Sequence, residues 1–124
     1  MRHRMRNRII CGIILSSGAL CLGTTWTFVG FGFDWDDCHN WSADCSGIQP
    51  YPSTTNDDVK FALTVIELEI VTAEIDDMVM EWAVGFYTDN NDVLTMDSLL
   101  LDSTARDVIL RVSDGATLVV NGTN

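Results

Sequence analysis

The chain has 124 residues, enough for one small domain, and its composition is strongly acidic. Eighteen aspartate and glutamate residues oppose seven lysine and arginine residues, which gives a formal net charge of −11. This balance excludes nucleic acid as a partner, because phosphate binding requires a basic footprint. An aspartate-rich, lysine-poor chain also favours a halophilic source, where concentrated salt screens the repulsion between like charges.

The N-terminal segment places four arginines in the first eight residues and then runs without charge over residues 9–33. A basic flank before an apolar run is the positive-inside pattern of an exported protein. The run predicts a hydrophobic helix, either retained as a transmembrane anchor with Trp26 and Trp35 in the interfacial belt, or cleaved as a signal peptide. Both alternatives place the following residues outside the cytoplasm, at the cell membrane with an extracellular C-terminal domain or secreted.

An acidic segment, "DWDDCHNWSADC" at residues 34–45, follows the apolar run. Its two cysteines lie on the exported side, where disulfides persist, so we expect Cys38 and Cys45 to close a small loop. The sharper alternative is a metal site. Carboxylate oxygens suit calcium, although the spacing does not match an EF-hand loop. The candidate calcium ligands are Asp34, Asp36, Asp37 and Asp44.

Zinc is a further alternative for the acidic segment. Zinc bound by Cys38, His39 and Cys45 would need a fourth ligand and reduced thiols, which disfavours it outside the cell.

Asn40 and Asn121 each begin an N-x-[ST] sequon, the acceptor pattern for N-glycosylation. A glycoprotein with exposed glycans at these two asparagines is therefore expected.

Composition divides the chain into three parts. Residues 1–33 hold the basic tip and the hydrophobic segment, residues 34–58 hold the acidic disulfide loop and a linker with both prolines, and residues 59–124 form a small exported domain. Residues 59–83 alternate as strands do, with shifts of face that indicate bulges or breaks, but they also fit a helical spacing. Their β-branched content favours strands.

The C-terminal residues contain the clearest turn signal. Asp114 and Gly115 suit a two-residue type I′ turn, which would set Val112 opposite Thr117 in a β-hairpin. The expected fold class is mainly β: an N-terminal hydrophobic helix, as membrane anchor or signal peptide, followed by a small antiparallel β domain, such as a β-sandwich, that ends in a β-hairpin.

The motifs that carry chemistry do not occur in this sequence. It contains no G-x-S-x-G, P-loop, G-x-G-x-x-G or H-E-x-x-H pattern, so we expect no enzymatic activity and no cofactor other than calcium. A domain of about 66 residues is marginal alone, so we expect protein partners or self-assembly, with the membrane as a further contact through residues 9–33 if the segment is not cleaved.

Two hypotheses of function follow from these features. The first is a non-enzymatic, exported structural or interaction protein of the cell envelope or surface: a membrane-anchored ectodomain, or a subunit of a filament or of a virion surface. The second is a secreted binding module that depends on calcium or on a glycan. The fate of residues 1–33 and the oligomeric state distinguish them.

Overall fold

A computed structural model describes residues 24–30, 32–42, 45 and 50–122. Within these residues the chain forms strands and one short 3₁₀ turn at Cys38–Asn40, so the mainly β prediction is confirmed. The strands are β1 (Thr25–Thr27), β2 (Asp58–Phe61), β3 (Val65–Glu69), β4 (Ala73–Met80), β5 (Val84–Tyr87), β6 (Val93–Leu101), β7 (Leu110–Val112) and β8 (Thr117–Val120).

The strands form two sheets through which the chain winds as a solenoid. One sheet has the order β1-β2-β4-β6-β8 and the other has the order β3-β5-β7. Every neighbouring pair of strands in both sheets is parallel. From β2 onward, consecutive strands alternate between the two sheets. Each turn of the chain therefore adds one strand to each sheet and stacks on the turn before it, which is the architecture of a β-solenoid.

The hydrophobic core lies between the two sheets, where successive turns stack side chains of the same character. Val59 lies beside Met78 and Phe61 beside Met80, and none of the four side chains is more than 1% exposed. Phe61 also contacts Phe86 of the second sheet, with ring centroids 5.7 Å apart. Burial of such side chains contributes about 1.5–3 kcal/mol each, so these stacked pairs hold both neighbouring turns and opposing sheets together.

The predicted N-terminal helix is wrong where the structure describes the apolar run. Thr25–Thr27 form β1, and Trp26 lies beside Val59 of β2 with only 3% of its surface exposed. Trp35 is fully buried rather than interfacial. Residues 9–23 of the predicted helix lie outside the described residues. β-branched and aromatic side chains pack well on a pleated surface, which explains a strand at this end of the run.

Over residues 24–30, 32–42, 45 and 50–122, no helix is long and apolar enough to cross a membrane. The predicted membrane anchor or signal peptide covers residues 9–33. Residues 9–23 lie outside the described residues, so that part of the assignment stays a prediction.

The predicted antiparallel domain and terminal hairpin are wrong. Asp114 and Gly115 do adopt the positive φ values of a type I′ turn, 48° and 83°. The strands on either side, however, belong to different sheets: Val112 pairs in parallel with Phe86 of β5, and β8 pairs in parallel with β6. The turn is a corner of the solenoid, because its local chemistry sets backbone angles while pairing with the preceding turn buries the inward face of each strand.

Candidate functional site

The acidic segment closes one end of the solenoid. Residues 32–42, which we call the N-terminal cap, place Trp35 and Trp41 across the end of the core at 0% and 3% exposure. The two rings meet edge to face with centroids 4.9 Å apart. Both face Phe61 of β2, at 6.3 Å from Trp35 and 5.8 Å from Trp41. The tryptophans of this segment are therefore core residues that exclude water from the first turn.

The backbone of the N-terminal cap also covers the first strand of each sheet. Ser42 N–H donates to the carbonyl oxygen of Thr27 at 2.9 Å, beside β1. Trp35 N–H donates to Glu69 O at 2.8 Å, and Glu69 N–H donates to Phe33 O at 2.7 Å, beside the end of β3. Because exposed strand edges are templates for further pairing, the cap obstructs such pairing at one residue of the first strand of each sheet.

The two cysteines of the segment lie together at the outside of the cap. The Sγ atoms of Cys38 and Cys45 are 2.14 Å apart, as in a disulfide. Asp37 precedes the 3₁₀ turn and accepts a hydrogen bond from His39 N–H at 3.0 Å. That bond, together with a side-chain contact between Asp37 and the His39 ring, lowers the pKa of Asp37 below its ordinary value of 3.8. The cysteine pair and the contact between Asp37 and His39 hold this loop to itself.

The structure describes three of the four predicted calcium ligands. Asp34 makes a parallel bridge with Glu69, Asp37 faces His39, and Asp44 lies outside the described residues. Among the described residues, Asp34, Asp36 and Asp37 do not bring three ligand oxygens within 4.8 Å of one another. The zinc alternative does bring its atoms together, since Cys38, His39 and Cys45 lie within that distance, but both sulfurs belong to the disulfide and offer no thiolate.

The two predicted glycosylation sites lie in opposite surroundings. The Asn40 side chain is fully buried, and its Nδ2 donates to Asp34 O at 2.6 Å. A Cβ at Gly32 would lie 3.1 Å from Asn40 Oδ1, so the amide already fills its site. A glycan on Asn40 would have to displace the amide from the cap. Asn121 is exposed just after β8, where a glycan meets no such obstacle.

An acidic cluster that sequence reasoning missed lies on the first sheet. Asp58 is the first residue of β2, and Asp76 and Asp77 lie in β4. Their carboxylates lie within 4.8 Å of one another and could hold a metal ion. Asp76 and Asp77 are only 8% and 2% exposed. Ser98 Oγ donates to Asp77 Oδ1, and Asp77 N–H donates to Asp58 Oδ1 at 3.2 Å. The pair of aspartates at 57–58 recurs at 76–77, one turn later, and that repeat is the signal for this cluster.

A second carboxylate organises the corner between the sheets. Asp92 Oδ2 accepts a 2.6 Å hydrogen bond from the Thr88 hydroxyl, and Asp92 Oδ1 accepts from the hydroxyl and the N–H of Thr72 at 2.9 and 3.1 Å. The Thr88 bond first, and the Thr72 bonds after it, lower the pKa of Asp92 below 3.8. This carboxylate ties the loop before β4 to the loop before β6, which is a structural role.

Glu69 lies at the junction of the cap and β3. Its surroundings raise its pKa, whereas those of Asp92 lower the pKa of that residue. Desolvation raises the pKa of Glu69 above its ordinary value of 4.5, and the neighbouring carboxyl of Asp34 raises it further. Tyr87, on the adjacent strand, has its phenol pKa raised above 10.0 by desolvation and by the Glu69 charge. The junction is therefore a point where negative charge is unfavourable.

The opposite end of the solenoid is open. Val112 lies beside Phe86 and Val120 beside Met96, and both of those partners are fully buried. Val112 and Val120 nevertheless remain 41% and 45% exposed, because β7 and β8 are the last strands of their sheets. We call the free edges of β7 and β8 the open end. Other exposed apolar side chains in or beside β6, β7 and β8 are Leu100, Leu101, Ile109 and Val119.

Comparison with known proteins adds no relative to this description. No protein-family model matches the chain, and neither a curated protein nor a solved structure matches it. A function is therefore proposed from the capped end, the acidic cluster and the open end alone.

Proposed function

We propose that this protein is a non-enzymatic structural and interaction module that is exported to the cell surface or released beyond it. The observation that carries the proposal is the asymmetry of the solenoid. One end is sealed by two buried tryptophans and a disulfide-distance cysteine pair, and the other leaves core-facing valines in water. A rigid rod with one closed and one open end suits presentation of a surface to a partner.

Two features support export. The cysteine pair at the cap suits an oxidising compartment, because disulfides persist outside the cytoplasm. A basic tip and an apolar run precede the cap in sequence, in the order that export requires. The charge of −11 suits a solenoid that works in concentrated salt, in whichever compartment it lies. If residues 9–23 anchor the chain, the capped end faces the membrane and the open end points away from it.

The described polar groups support a structural role over a catalytic one. His39 is 76% exposed by its side chain and contacts Asp37 beside the disulfide. Asp92 is occupied by the hydroxyls of Thr72 and Thr88. The His39 contact stays within the cap, and the Asp92 contacts join the loops before β4 and β6, so both side chains have a structural role.

The test is the location of the domain in intact cells. The full chain, with an epitope after Asn124, is expressed in a halophilic host, and cells, membranes and medium are separated. We expect the epitope in the membrane or the medium, and we expect protease added to intact cells to remove any cell-associated epitope. A protected epitope in the cytosol would contradict the proposal. The matched control replaces the four N-terminal arginines by glutamine, which should reduce export.

A second candidate function, a secreted module that depends on calcium, is favoured by the convergence of Asp58, Asp76 and Asp77. A cation there would offset the repulsion among three carboxylates, two of them buried. The test is thermal unfolding at constant ionic strength with calcium or magnesium added. Calcium binding to the folded state alone would raise the Tm with concentration, and Asp58→Asn should remove that rise. A Tm that does not change with calcium concentration would reject this candidate.

A further inference from the structure

The open end exposes the core itself rather than an outer face of the solenoid. A residue that stacks directly on a buried core residue points inward, and Val112 and Val120 stack on Phe86 and Met96. These two inward side chains are 41% and 45% exposed because no further turn covers the last one. A solenoid requires a cover at each end to keep its core dry.

The last strand of the first sheet, β8, also directs some of its backbone N–H groups away from its neighbour β6. Thr117 N–H and Asn121 N–H donate toward β6, to Asp92 O at 3.2 Å and to Met96 O at 2.9 Å. Strand alternation then directs the N–H groups of Leu118 and Val120 away from β6, toward the free edge. Because β8 is the last strand of its sheet, this edge is ready to pair with another strand.

The C-terminal residues that contain β7 and β8 differ in charge from the rest of the protein. Residues 103–122 contain two arginines, Arg106 and Arg111, and two aspartates, Asp107 and Asp114, so their net charge is zero. The N-terminal cap, residues 32–42, carries three aspartates and no lysine or arginine. Two copies of a chain with a net charge of −11 can approach each other with least repulsion through their open ends.

We propose that the open end is the interface between two copies of this chain, which meet tail to tail about a two-fold axis. β8 of one copy pairs in antiparallel with β8 of the other, and β7 with β7, so that each sheet continues across the dimer. The inward valines of the two last turns then cover each other. This inference rests on the proposed interaction function and names its partner.

The capped end explains why the assembly closes at two. A head-to-tail arrangement would bring the open end against β1 and β3 of the next copy. At one residue of each strand the edge is already taken by the cap: Ser42 bonds to Thr27 of β1, and Trp35 bonds to Glu69 of β3. A strand of another copy therefore could not pair along the full length of β1 or β3, whereas within the described residues β7 and β8 carry no such cover. The contact between two open ends is isologous and does not propagate into a fibre.

The test is the mass of the full chain in solution. The intact protein is kept in mild detergent and concentrated KCl, and its mass is measured by light scattering over a concentration series. We expect a protein mass of twice 13.8 kDa at high concentration that falls toward 13.8 kDa on dilution. Val120→Lys should shift this transition to at least tenfold higher concentration, because it places two like charges in the interface.

The matched control is Ile66→Lys, which puts the same charge on an apolar side chain that is 75% exposed on β3, at the capped side of the second sheet. It should leave the transition unchanged. A second pair separates backbone pairing from charge: Val120→Pro removes the N–H at the free edge and should weaken the dimer, whereas Val120→Ala retains that N–H. Thermal unfolding of each variant verifies that it is folded.

Three results would overturn the proposal. A mass of 13.8 kDa at every concentration would show that the open end does not bind a second copy. A mass that grows beyond the dimer would indicate an open, head-to-tail chain. A dimer that Val120→Lys leaves intact would place the contact elsewhere, including at the apolar N-terminal segment. None of these results bears on export, which the fractionation experiment measures separately.

Discussion

The indole N–H of Trp41 donates a 2.7 Å hydrogen bond to the carbonyl oxygen of Trp35, inside the cap that closes the solenoid. Trp35 in turn donates from its own indole nitrogen to Pro52 O at 2.9 Å. Two large apolar rings are thus buried without leaving these two N–H groups unpaired, which is the condition for burying tryptophan at low cost. The relationship joins residues 35 and 41 to the segment that leads into β2, so the cap and the first full turn form one unit.

Trp35→Ala should destabilise the protein by about 3–5 kcal/mol, because a fully buried ring leaves a cavity at the end of the core. The free energy of unfolding is measured by denaturant titration. Trp35→Phe keeps an aromatic ring but loses the bond to Pro52 O, and should cost less than the alanine variant.

The control for that prediction is Trp82→Ala. Trp82 is 36% exposed and lies under the Arg106 guanidinium at 4.0 Å from the ring centroid. Loss of this exposed cation–π contact should cost about 1 kcal/mol. Equal losses for the two alanine variants would contradict the assignment of Trp35 to the core of the cap.

Removal of the cysteine pair should loosen the cap. Replacing Cys38 and Cys45 by serine opens a short loop, and we expect a loss of about 2 kcal/mol in the free energy of unfolding. Addition of reductant to the unchanged protein should produce a similar loss and increase the intact mass by two hydrogen atoms, since the reductant supplies two electrons and each sulfur gains a proton. Reductant should have no effect on the serine variant, and an effect there would indicate another cysteine pair.

Glu69 should make the protein less stable as the pH rises. Its folded-state pKa is raised above 4.5, by desolvation first and by Asp34 second, so the folded state holds the proton more tightly than the unfolded state. The stabilising contribution is complete below pH 4.5 and is lost as the pH rises through the folded-state pKa. Glu69→Gln should therefore raise the Tm at pH 7 and change it little at pH 4, as measured by thermal unfolding.

Asp92 should give the opposite pH dependence. Hydrogen bonds from the Thr88 hydroxyl, and then from Thr72, lower its folded-state pKa below 3.8. The stabilisation is therefore present above pH 3.8 and is lost as the pH falls through the folded-state pKa. Asp92→Asn should lower the Tm at pH 7, and the difference from the unchanged protein should shrink below pH 3.8. A constant difference across this range would reject the carboxylate as the cause.

Gly85→Ala should separate two strands of the second sheet. A Cβ at Gly85 would lie 2.3 Å from the carbonyl oxygen of Ile66, a backbone atom that cannot move aside alone. We expect a loss of about 1–3 kcal/mol, from overpacking between β3 and β5. Gly122→Ala is the comparison: no atom lies within 4 Å of its Cβ, and its cost comes only from a φ of 59°. Near-equal losses would argue against the close approach.

Local features of the fold could be predicted from the sequence because their causes are local. The β-branched residues of 59–83 favour strands, and β2, β3 and β4 lie there. Asp114 and Gly115 adopt the turn that their side chains allow. The alternation of residues 59–65 changes face after Val65, and the pairing of β3 with β5 has a register shift between Val65 and Leu68.

The partners of those strands could not be predicted in the same way. Successive turns advance by 19 residues from Val59 to Met78, by 21 from Ala73 to Leu94 and by 24 from Val93 to Thr117. No fixed repeat marks the parallel register, and the local signal at Asp114 and Gly115 by itself favours an antiparallel hairpin. The aspartate pairs at 57–58 and 76–77 are also 19 residues apart, but one such match in an acidic chain is weak evidence for a repeat.

The sequence by itself determined the acidic surface, the β content, the tight turn and the expectation that Cys38 and Cys45 pair, since each depends on composition or on residues close along the chain. Only the tertiary structure decided that Trp26 and Trp35 belong to a core, that aspartates one turn apart converge, and that one end of the solenoid is closed while the other is open. These features depend on which turn lies above which, and stacking of whole turns is a non-local interaction.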